Sequence, residues 1–359
     1  MYRKRKPRRE QEPTHYELEV IPGLAQFART ELQEQTGHTP QLLPIERQDR
    51  VPFLWRGDAR YLLRLQRAVA IHRVQRFDIP RPKALLGHQN FQALVGLIDE
   101  AVALYPPGSF DTFYVSAAGS SSPVFGRIKD EIQMHTGLAC SKETGDLLLA
   151  VRRAAQGWEV VVRLSPRPLS ARAWRVCDMP GALNATVAST MMSLMHPSPG
   201  DRVVNLACGS GTLLIERLAL GPVQGAMGCD TDAGALTCAQ TNLAAAGSSD
   251  AVQLVQCDAG QTPLPDGWAT AACADLPFGM LVGTQKSNER LYPRILREAA
   301  RLVRSQGWLT VITHQVRLFE RVAAAQADRW AESQVIPLKL PANTRDGYIR
   351  PRIFLLHRR

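Results

Sequence analysis

The stretch Ala274–Gly279 (ADLPFG) concentrates the most chemistry in the chain. Asp275 offers a carboxylate, Leu276 and Pro277 offer backbone carbonyls, and Phe278 offers a flat apolar ring. Pro277 cannot continue a strand or a helix interior, so these residues form a rigid turn. An exocyclic amine on a nucleobase needs acceptors for its hydrogens and a stacking partner for its ring. This turn could hold such a base after it has left its stack. The competing explanation is a hydrophobic turn with Asp275 as a cap.

Upstream, VVNLACGSGTLLIERL joins a buried strand to a helix through Gly209, Ser210 and Gly211. Glycines let the chain turn tightly and let a ligand approach the helix N–H groups. Leu214 stands where a G-x-G-x-x-G loop has its third glycine, and no G-K-[ST] follows, so phosphate cradling is disfavoured. Acids then end successive strands: Asp230 after GAMGC, Asp258 after VQLVQC, and Asp275 itself. An acid about 20 residues after the loop can accept from ribose hydroxyls, and one at the next strand end can accept from an adenine amine. Asp232 reads as a helix N-cap. Taken together, the three acids and the glycine loop line one edge of an open α/β sheet, where ligands bind.

The elements that must hold these groups alternate. Strands fit at 202–207, 225–229, 252–257, 269–274, 307–314, 332–339 and 350–357, and helices at 182–195, 211–220, 232–246, 288–304 and 316–326. This alternation implies a largely parallel sheet with helices on both faces. Met191, Met192 and Met195 read as core, and His314, after a strand, as a structural histidine in preference to a residue near the base. The first half is organised differently. Residues 1–13 read as a basic disordered tail, and 14–79 as a small α/β subdomain with a strand at 15–21 and helices at 23–35 and 59–70. A Pro-rich, basic linker is expected at 78–88. Residues 80–164 read as a second α/β unit, with helices at 91–104 and 123–136 and strands around 111–118, 146–153 and 157–165. Pro123 opens the helix at 123–136 and Gly137 closes it. Residues 165–180 (SPRPLSARAWRVCDMP) read as a linker, and 181–359 as the domain that holds the chemistry.

Charge is unevenly shared. The chain carries 43 Lys+Arg against 33 Asp+Glu, a balance of +10. Residues 1–175 hold 26 basic and 18 acidic side chains, leaving only +2 for the rest. A basic front half suggests a polyanionic partner, nucleic acid foremost. Candidate contacts are Arg127 and Lys129 on the helix at 123–136, and Arg172, Trp174 and Arg175 in the joint, by ion pairing and stacking, with a packed linker as the equal alternative for these three. Arg350 and Arg352 read as phosphate contacts or as guards of an edge strand. The seven cysteines are odd in number and form no C-x-x-C pair, so neither a metal site nor a disulfide is expected, and a reducing, cytoplasmic setting is. With no apolar run of about 18 residues, no membrane span is expected.

The order CGSGT, Asp230, Asp258, DLPFG resembles the class I S-adenosylmethionine-dependent methyltransferases that modify exocyclic amines. Together with the 80–164 unit, the joint SPRPLSARAWR and the closing DGYIRPRIFLLHRR, it is similar to the THUMP-domain RNA methyltransferases, closest to the branch that makes N2-methylguanosine in tRNA. The resemblance implies a Rossmann-like domain with a mostly parallel seven-stranded sheet, preceded by a ferredoxin-like subdomain and a THUMP RNA-binding domain. It implies a cofactor site of Asn205, Ala207, Cys208, Gly209, Ser210, Gly211, Thr212, Asp230, Thr231, Asp258, Ala259 and Asp275. Asp275, with the Leu276 and Pro277 carbonyls, would hold the target amine, and Phe278 would stack on the base. The chain departs from the family at Asn205-Leu206, usually Asp-Pro, and at Met280, often Arg or Lys.

The activity so implied is direct methyl transfer, in line and without a covalent enzyme intermediate, to a guanosine N2 amine of tRNA, near the acceptor stem, by a monomer. The alternatives are an rRNA or DNA amino-methyltransferase and a non-catalytic RNA-binding protein with a degenerate cofactor site. A dinucleotide oxidoreductase fits the fold but not the DLPFG turn.

Overall fold

The computed structural model describes residues 12–35, 40–278, 285–341 and 347–359. The basic tail up to residue 11, Gly37, Gly279 and Met280 therefore lie outside the described residues. The chain divides into two compact units. The first comprises the chain up to Val20 together with Ala25–Leu169, and the second Ile21–Leu24 together with Ser170–Arg359.

The first unit is built on one sheet. Its strands are β1 (Thr14–Glu19), β2 (Gln41–Leu42), β3 (Arg50–Trp55), β4 (Ala70–Phe77), β5 (Thr112–Ala117), β6 (Ala139–Cys140), β7 (Leu147–Arg153) and β8 (Trp158–Arg163), in the order β2-β3-β1-β4-β8-β7-β5-β6. Helices α1 (Ala25–Gln35), α2 (His88–Val102) and α3 (Pro123–Thr136) accompany it. The two subdomains expected at 14–79 and 80–164 thus share one sheet, joined by antiparallel pairing of β4 with β8. They also share one core running from Tyr16 to Leu164. Buried Glu17 on β1 takes both Arg152 Nη atoms of β7, at 3.1 and 2.8 Å. The helix expected at 59–70 is instead a 3-10 turn, Ala59–Arg64, followed by β4. Strand β3 was hidden by Pro52, a residue that argues against central strands. Helix α3 has the expected bounds, with Gly137 at φ 73° as its left-handed C-cap.

The second unit holds the strands β9 (Arg202–Leu206), β10 (Gly225–Asp230), β11 (Gln253–Gln256), β12 (Ala269–Asp275), β13 (Val303–Thr313), β14 (Trp330–Pro337), the short β15 (Leu340–Pro341) and β16 (Tyr348–Ile349), and β17 (Arg352–Arg358). Its helices are α4 (Ala185–Leu194), α5 (Thr212–Ala219), α6 (Ala233–Ala245), α7 (Gln285–Leu302) and α8 (Val316–Ala324). The seven-stranded sheet runs β11-β10-β9-β12-β13-β17-β14. The first five strands are parallel, and β17 is antiparallel to both its neighbours. The chain moves outward from β9 to β11 and then returns to place β12 on the other side of β9. That reversal opens a crevice at the strand C-termini.

The joint is not a free linker. From Ser170 onward it belongs to the second unit. Arg172 meets Glu216 of α5 through two hydrogen bonds of 2.8 and 3.1 Å, with side chains only 12% and 1% exposed. Asn242 of α6 accepts from the Val176 and Cys177 N–H groups and donates to the Cys177 carbonyl. Cys177 and Cys238 are disulfide-bonded, with Cα atoms 5.5 Å apart, against the expectation of free thiols. Cysteine parity and spacing carry no information about two residues that tertiary packing brings together.

Removing one partner of a buried ion pair leaves the other charge uncompensated, at a cost of about 3–5 kcal/mol. Arg172→Ala is therefore expected to destabilise the second unit by about 3 kcal/mol. Urea unfolding followed by the fluorescence of the tryptophans in that unit checks this. A loss below about 1 kcal/mol would contradict it.

Candidate active site

The crevice is lined by the ends of four parallel strands. Asn205 of β9 pairs with Cys273 of β12 and with Gly228 of β10. Continuing both registers by two residues sets Asp230 and Asp275 level with Ala207. They flank it from either side, two strand spacings or about 10 Å apart. Ala207, Gly209 and Gly211 all have left-handed backbones, with φ of 58, 51 and 80°. This run folds the chain back under the N-terminus of α5. A Cβ at Gly211 would come within 3.3 Å of the Ala239 Cβ, whereas a Cβ at Gly209 would meet nothing within 4 Å. The loop is thus packed from behind and open in front.

Asp230 braces this loop from β10. One carboxylate oxygen accepts from the Gly209 N–H at 2.9 Å and the other from the Asp232 N–H at 3.1 Å. Each oxygen keeps a lone pair for a further donor. Asp232 caps α6 through the Gly234 N–H, as the sequence suggests. Asp258 caps its own turn at Gly260 and pairs with Arg294 at 2.9 Å. Both members of that pair are more than 40% exposed, so exchanging Arg294 for another donor costs little. Ala259 and Cys208 are buried, Ser210 and Thr212 lie under the loop within 3.3 Å of each other, and Thr231 is exposed beside Asp230. Burial pushes the Cys208 thiol well above its ordinary value, so it stays neutral. Asn205 is fully buried and donates to the Cys273 carbonyl at 3.2 Å, leaving its Oδ1 as an uncommitted acceptor.

On the other side of the crevice Asp275 ends β12. No described donor reaches its carboxylate, and loss of hydration pushes it up to about 7. The Leu276 N–H bonds to the Ile312 carbonyl, and the Leu276 carbonyl takes no hydrogen bond from a described residue. Pro277 differs from expectation. Its carbonyl already accepts from Asn288 Nδ2 at 2.7 Å and the Tyr292 hydroxyl at 2.8 Å, so both lone pairs are occupied and it cannot hold an amine. Phe278 is half-buried, and His314 lies against it with ring centroids 6.0 Å apart. His314 is thus placed at the turn. Asn288, Tyr292 and Gln315 were missed by sequence reading. The signal was an i, i+4 polar pair on an amphipathic helix and a polar run, THQ, at a further strand end.

The expected nucleic-acid contacts fare unevenly. Arg127 is exposed, with no ion pair to a described residue. Lys129 donates to the Ser120 carbonyl at 2.9 Å, which ties down the loop before α3. Arg172 is sequestered by Glu216, as described. Arg175 bonds to the Leu183 carbonyl and Thr212 Oγ1 at 2.7 and 3.1 Å and covers the Trp174 ring at 5.2 Å. Lys129, Arg172 and Arg175 thus each hold part of the fold through internal partners. Arg352 pairs with Glu320, while Arg350 is exposed.

The strand order, the glycine loop and the acids at the strand ends give the second unit a class I methyltransferase fold. Residues 172–342 match the family described as UPF0020, RMKL-like, methyltransferase domain. The tRNA (guanine(6)-N2)-methyltransferase of Thermus thermophilus is 25% identical over 321 residues, spanning 86% of this chain and 89% of that protein. The U6 snRNA (guanine-N(2))-methyltransferase THUMPD2 of Bos taurus is 31% identical over 145 residues, 40% of this chain and 28% of its own length. The human tRNA (guanine(6)-N(2))-methyltransferase THUMP3 is 26% identical, over 50% of this chain and 36% of its own length. The chain thus spans about a third of these mammalian relatives. Among solved structures, TrmN from Thermus thermophilus superposes with a TM-score of 0.74 at 22% identity, covering 96% of this chain and all of that one.

An acid that accepts from ribose hydroxyls contributes about 1.5–3 kcal/mol per charge-assisted bond. Asp230→Ala is expected to weaken S-adenosylmethionine binding by ~10-fold or more, and Asp258→Ala by less. Calorimetric titration checks the order. An unchanged affinity in Asp230→Ala would remove its assignment.

Proposed function

We propose that the chain transfers a methyl group from S-adenosylmethionine to the exocyclic N2 amine of a guanosine in RNA, with tRNA as the substrate class. The observation that carries this reading is the turn at the switch point. There a dehydrated carboxylate and a carbonyl, neither with a donor among the described residues, and an aromatic ring follow one another beside an open glycine loop. The Thermus thermophilus relative, matched over 89% of its length, is named for this chemistry on tRNA. A second reading keeps the chemistry and changes the RNA. It is favoured by the 31% identity to the U6 snRNA enzyme.

The cofactor supplies an electrophilic methyl group on a sulfonium. Open space at Gly209, spare lone pairs on Asp230 and an exchangeable Arg294–Asp258 pair fit such a nucleoside-bearing group. Asp230 would hold the ribose, Asp258 and Ala259 the adenine, and the uncommitted Asn205 Oδ1 offers an acceptor beneath the loop. Asp275 and the Leu276 carbonyl would accept the two amine hydrogens, and Phe278 would stack on the extruded base. A guanine N2 lone pair is delocalised into the ring, and engaging both hydrogens favours its pyramidal form. The protein's main contribution is position. Asp275 can then take the proton shed by the methylated amine, a role suited to a carboxylate near pH 7. Cys208, Cys229 and Cys273 take no part: they are buried, and burial raises their thiols. The same reading has the chain act as a monomer in the cytoplasm, where tRNA is used.

Labelled methyl transfer to total tRNA, rRNA and DNA, followed by nucleoside analysis, tests the proposal. N2-methylguanosine in tRNA is the expected product, and no incorporation into any RNA would overturn it. Asp275→Asn should abolish transfer while cofactor binding survives. Because the anion is the acceptor and its carboxyl is raised to about 7, kcat/KM should climb as pH rises through 7. Stability should move the other way. The neutral carboxyl is the form the fold tolerates, so the contribution of Asp275 is fully present below pH 4 and is lost as pH rises through 7. Asp275→Asn should therefore raise the melting temperature at pH 8 and leave it unchanged at pH 4. A flat rate profile between pH 6 and 8 would remove Asp275 from the mechanism.

A further inference from the structure

The turn after β12 is held by a hydrogen-bond chain from distant parts of the sequence. Asn288 Nδ2 and the Tyr292 hydroxyl reach the Pro277 carbonyl at 2.7 and 2.8 Å. Gln315 Nε2 reaches the next carbonyl, that of Phe278, at 3.2 Å. The Tyr292 oxygen also lies 2.7 Å from Thr313 Oγ1, which accepts from the Gln315 N–H at 3.0 Å.

The protons in this chain can be assigned. A carbonyl only accepts, so Tyr292 must donate its single proton to Pro277. Its oxygen can then only accept from Thr313, so the Thr313 hydroxyl donates to it. Every bond in the chain therefore points toward the turn. Asn288, Tyr292 and Thr313 are fully buried, so water does not compete for these groups. Asn288 and Tyr292, four residues apart on α7, present both donors from one helix face.

We propose that Tyr292, backed by Thr313, is a positioning residue that determines which acceptors of the turn meet the target amine. With both lone pairs of the Pro277 carbonyl taken and the Phe278 carbonyl engaged by Gln315, the acceptors of the turn that no described residue engages are the Asp275 carboxylate and the Leu276 carbonyl. These are two acceptors on successive residues, for two amine hydrogens. Without the Tyr292 bond the Pro277 carbonyl is held by Asn288 alone and regains a lone pair, a third acceptor that competes for the amine and turns its lone pair out of line. The inference rests on the amine-methylation reading above.

Tyr292→Phe keeps the ring that packs edge-on against Phe319, with centroids 6.4 Å apart, and removes only the hydroxyl. Thr313→Val removes the hydroxyl behind it at nearly constant volume, and Thr313→Ser restores that hydroxyl. Misplacement of a reacting group by about 1 Å costs up to about 100-fold in rate. With the full chain, tRNA and S-adenosylmethionine, Tyr292→Phe and Thr313→Val are expected to lower kcat by about 10- to 100-fold. KM for RNA and the cofactor dissociation constant should stay within about twofold, and Thr313→Ser should return kcat to within a few-fold of wild type. Wild-type kcat in Tyr292→Phe would overturn the inference. So would an equal loss in Thr313→Ser and Thr313→Val, or a loss matched by weaker cofactor binding and earlier unfolding. Absence of N2-methylguanosine from wild-type reactions would overturn the functional reading and this inference with it. Turnover by wild type with an unaffected Tyr292→Phe would overturn this inference alone.

Discussion

The parallel pairing of β12 with β9 is the constraint on which the site depends. It sets Cys273 beside Asn205, and through that register it sets Asp275 level with the turn after β9. The buried Asn205 amide adds a side-chain bond to the same strand at the same height. A slip of one residue would reverse the face on which every β12 side chain lies. Asp275 would then leave the crevice. The glycine loop, Asp230 and the turn after β12 are three local structures. Asp230 touches the glycine loop directly, while the distance from both to the turn after β12 is set by strand spacing.

The positive charge has a mixed meaning. Arg172, Arg175 and Lys129 are committed to internal partners, and Arg152 clamps Glu17 across the sheet of the first unit. A guanidinium with several fixed donors suits such work, because it can satisfy several carbonyls or a whole carboxylate at once. An Arg-rich composition is therefore partly a structural habit of this chain. Exposed cations such as Arg127 are what remains for a polyanion.

Much of the second unit was legible in the sequence because strand and helix alternate there with clear punctuation. The three acids were legible as strand-end residues, and the glycine loop as a loop. What the sequence concealed were relations between distant segments. That the Pro277 carbonyl is already saturated depends on α7, and the commitment of Arg172 depends on α5. The Cys177–Cys238 pairing depends on how the joint crosses α6. In the first unit, Pro52 disguised an edge-near strand, and β4 was hidden by its mixture of Arg, His and Gln with apolar residues. Only pairing on both sides, with β1 and β8, makes β4 a central strand.

Asn242 gives the joint a wider meaning. The same side-chain amide that holds Cys177 also donates to the Ser210 carbonyl at 3.1 Å, within the glycine loop. The segment leading into the second unit and the loop that faces the crevice therefore share one buried anchor. Domain dissection follows from this. A fragment cut at 181, where the helical pattern begins, would lose the partners of Asn242 and Glu216. The boundary that keeps these partners lies at Ser170, ahead of Arg172 and Cys177, where the continuous part of the second unit begins.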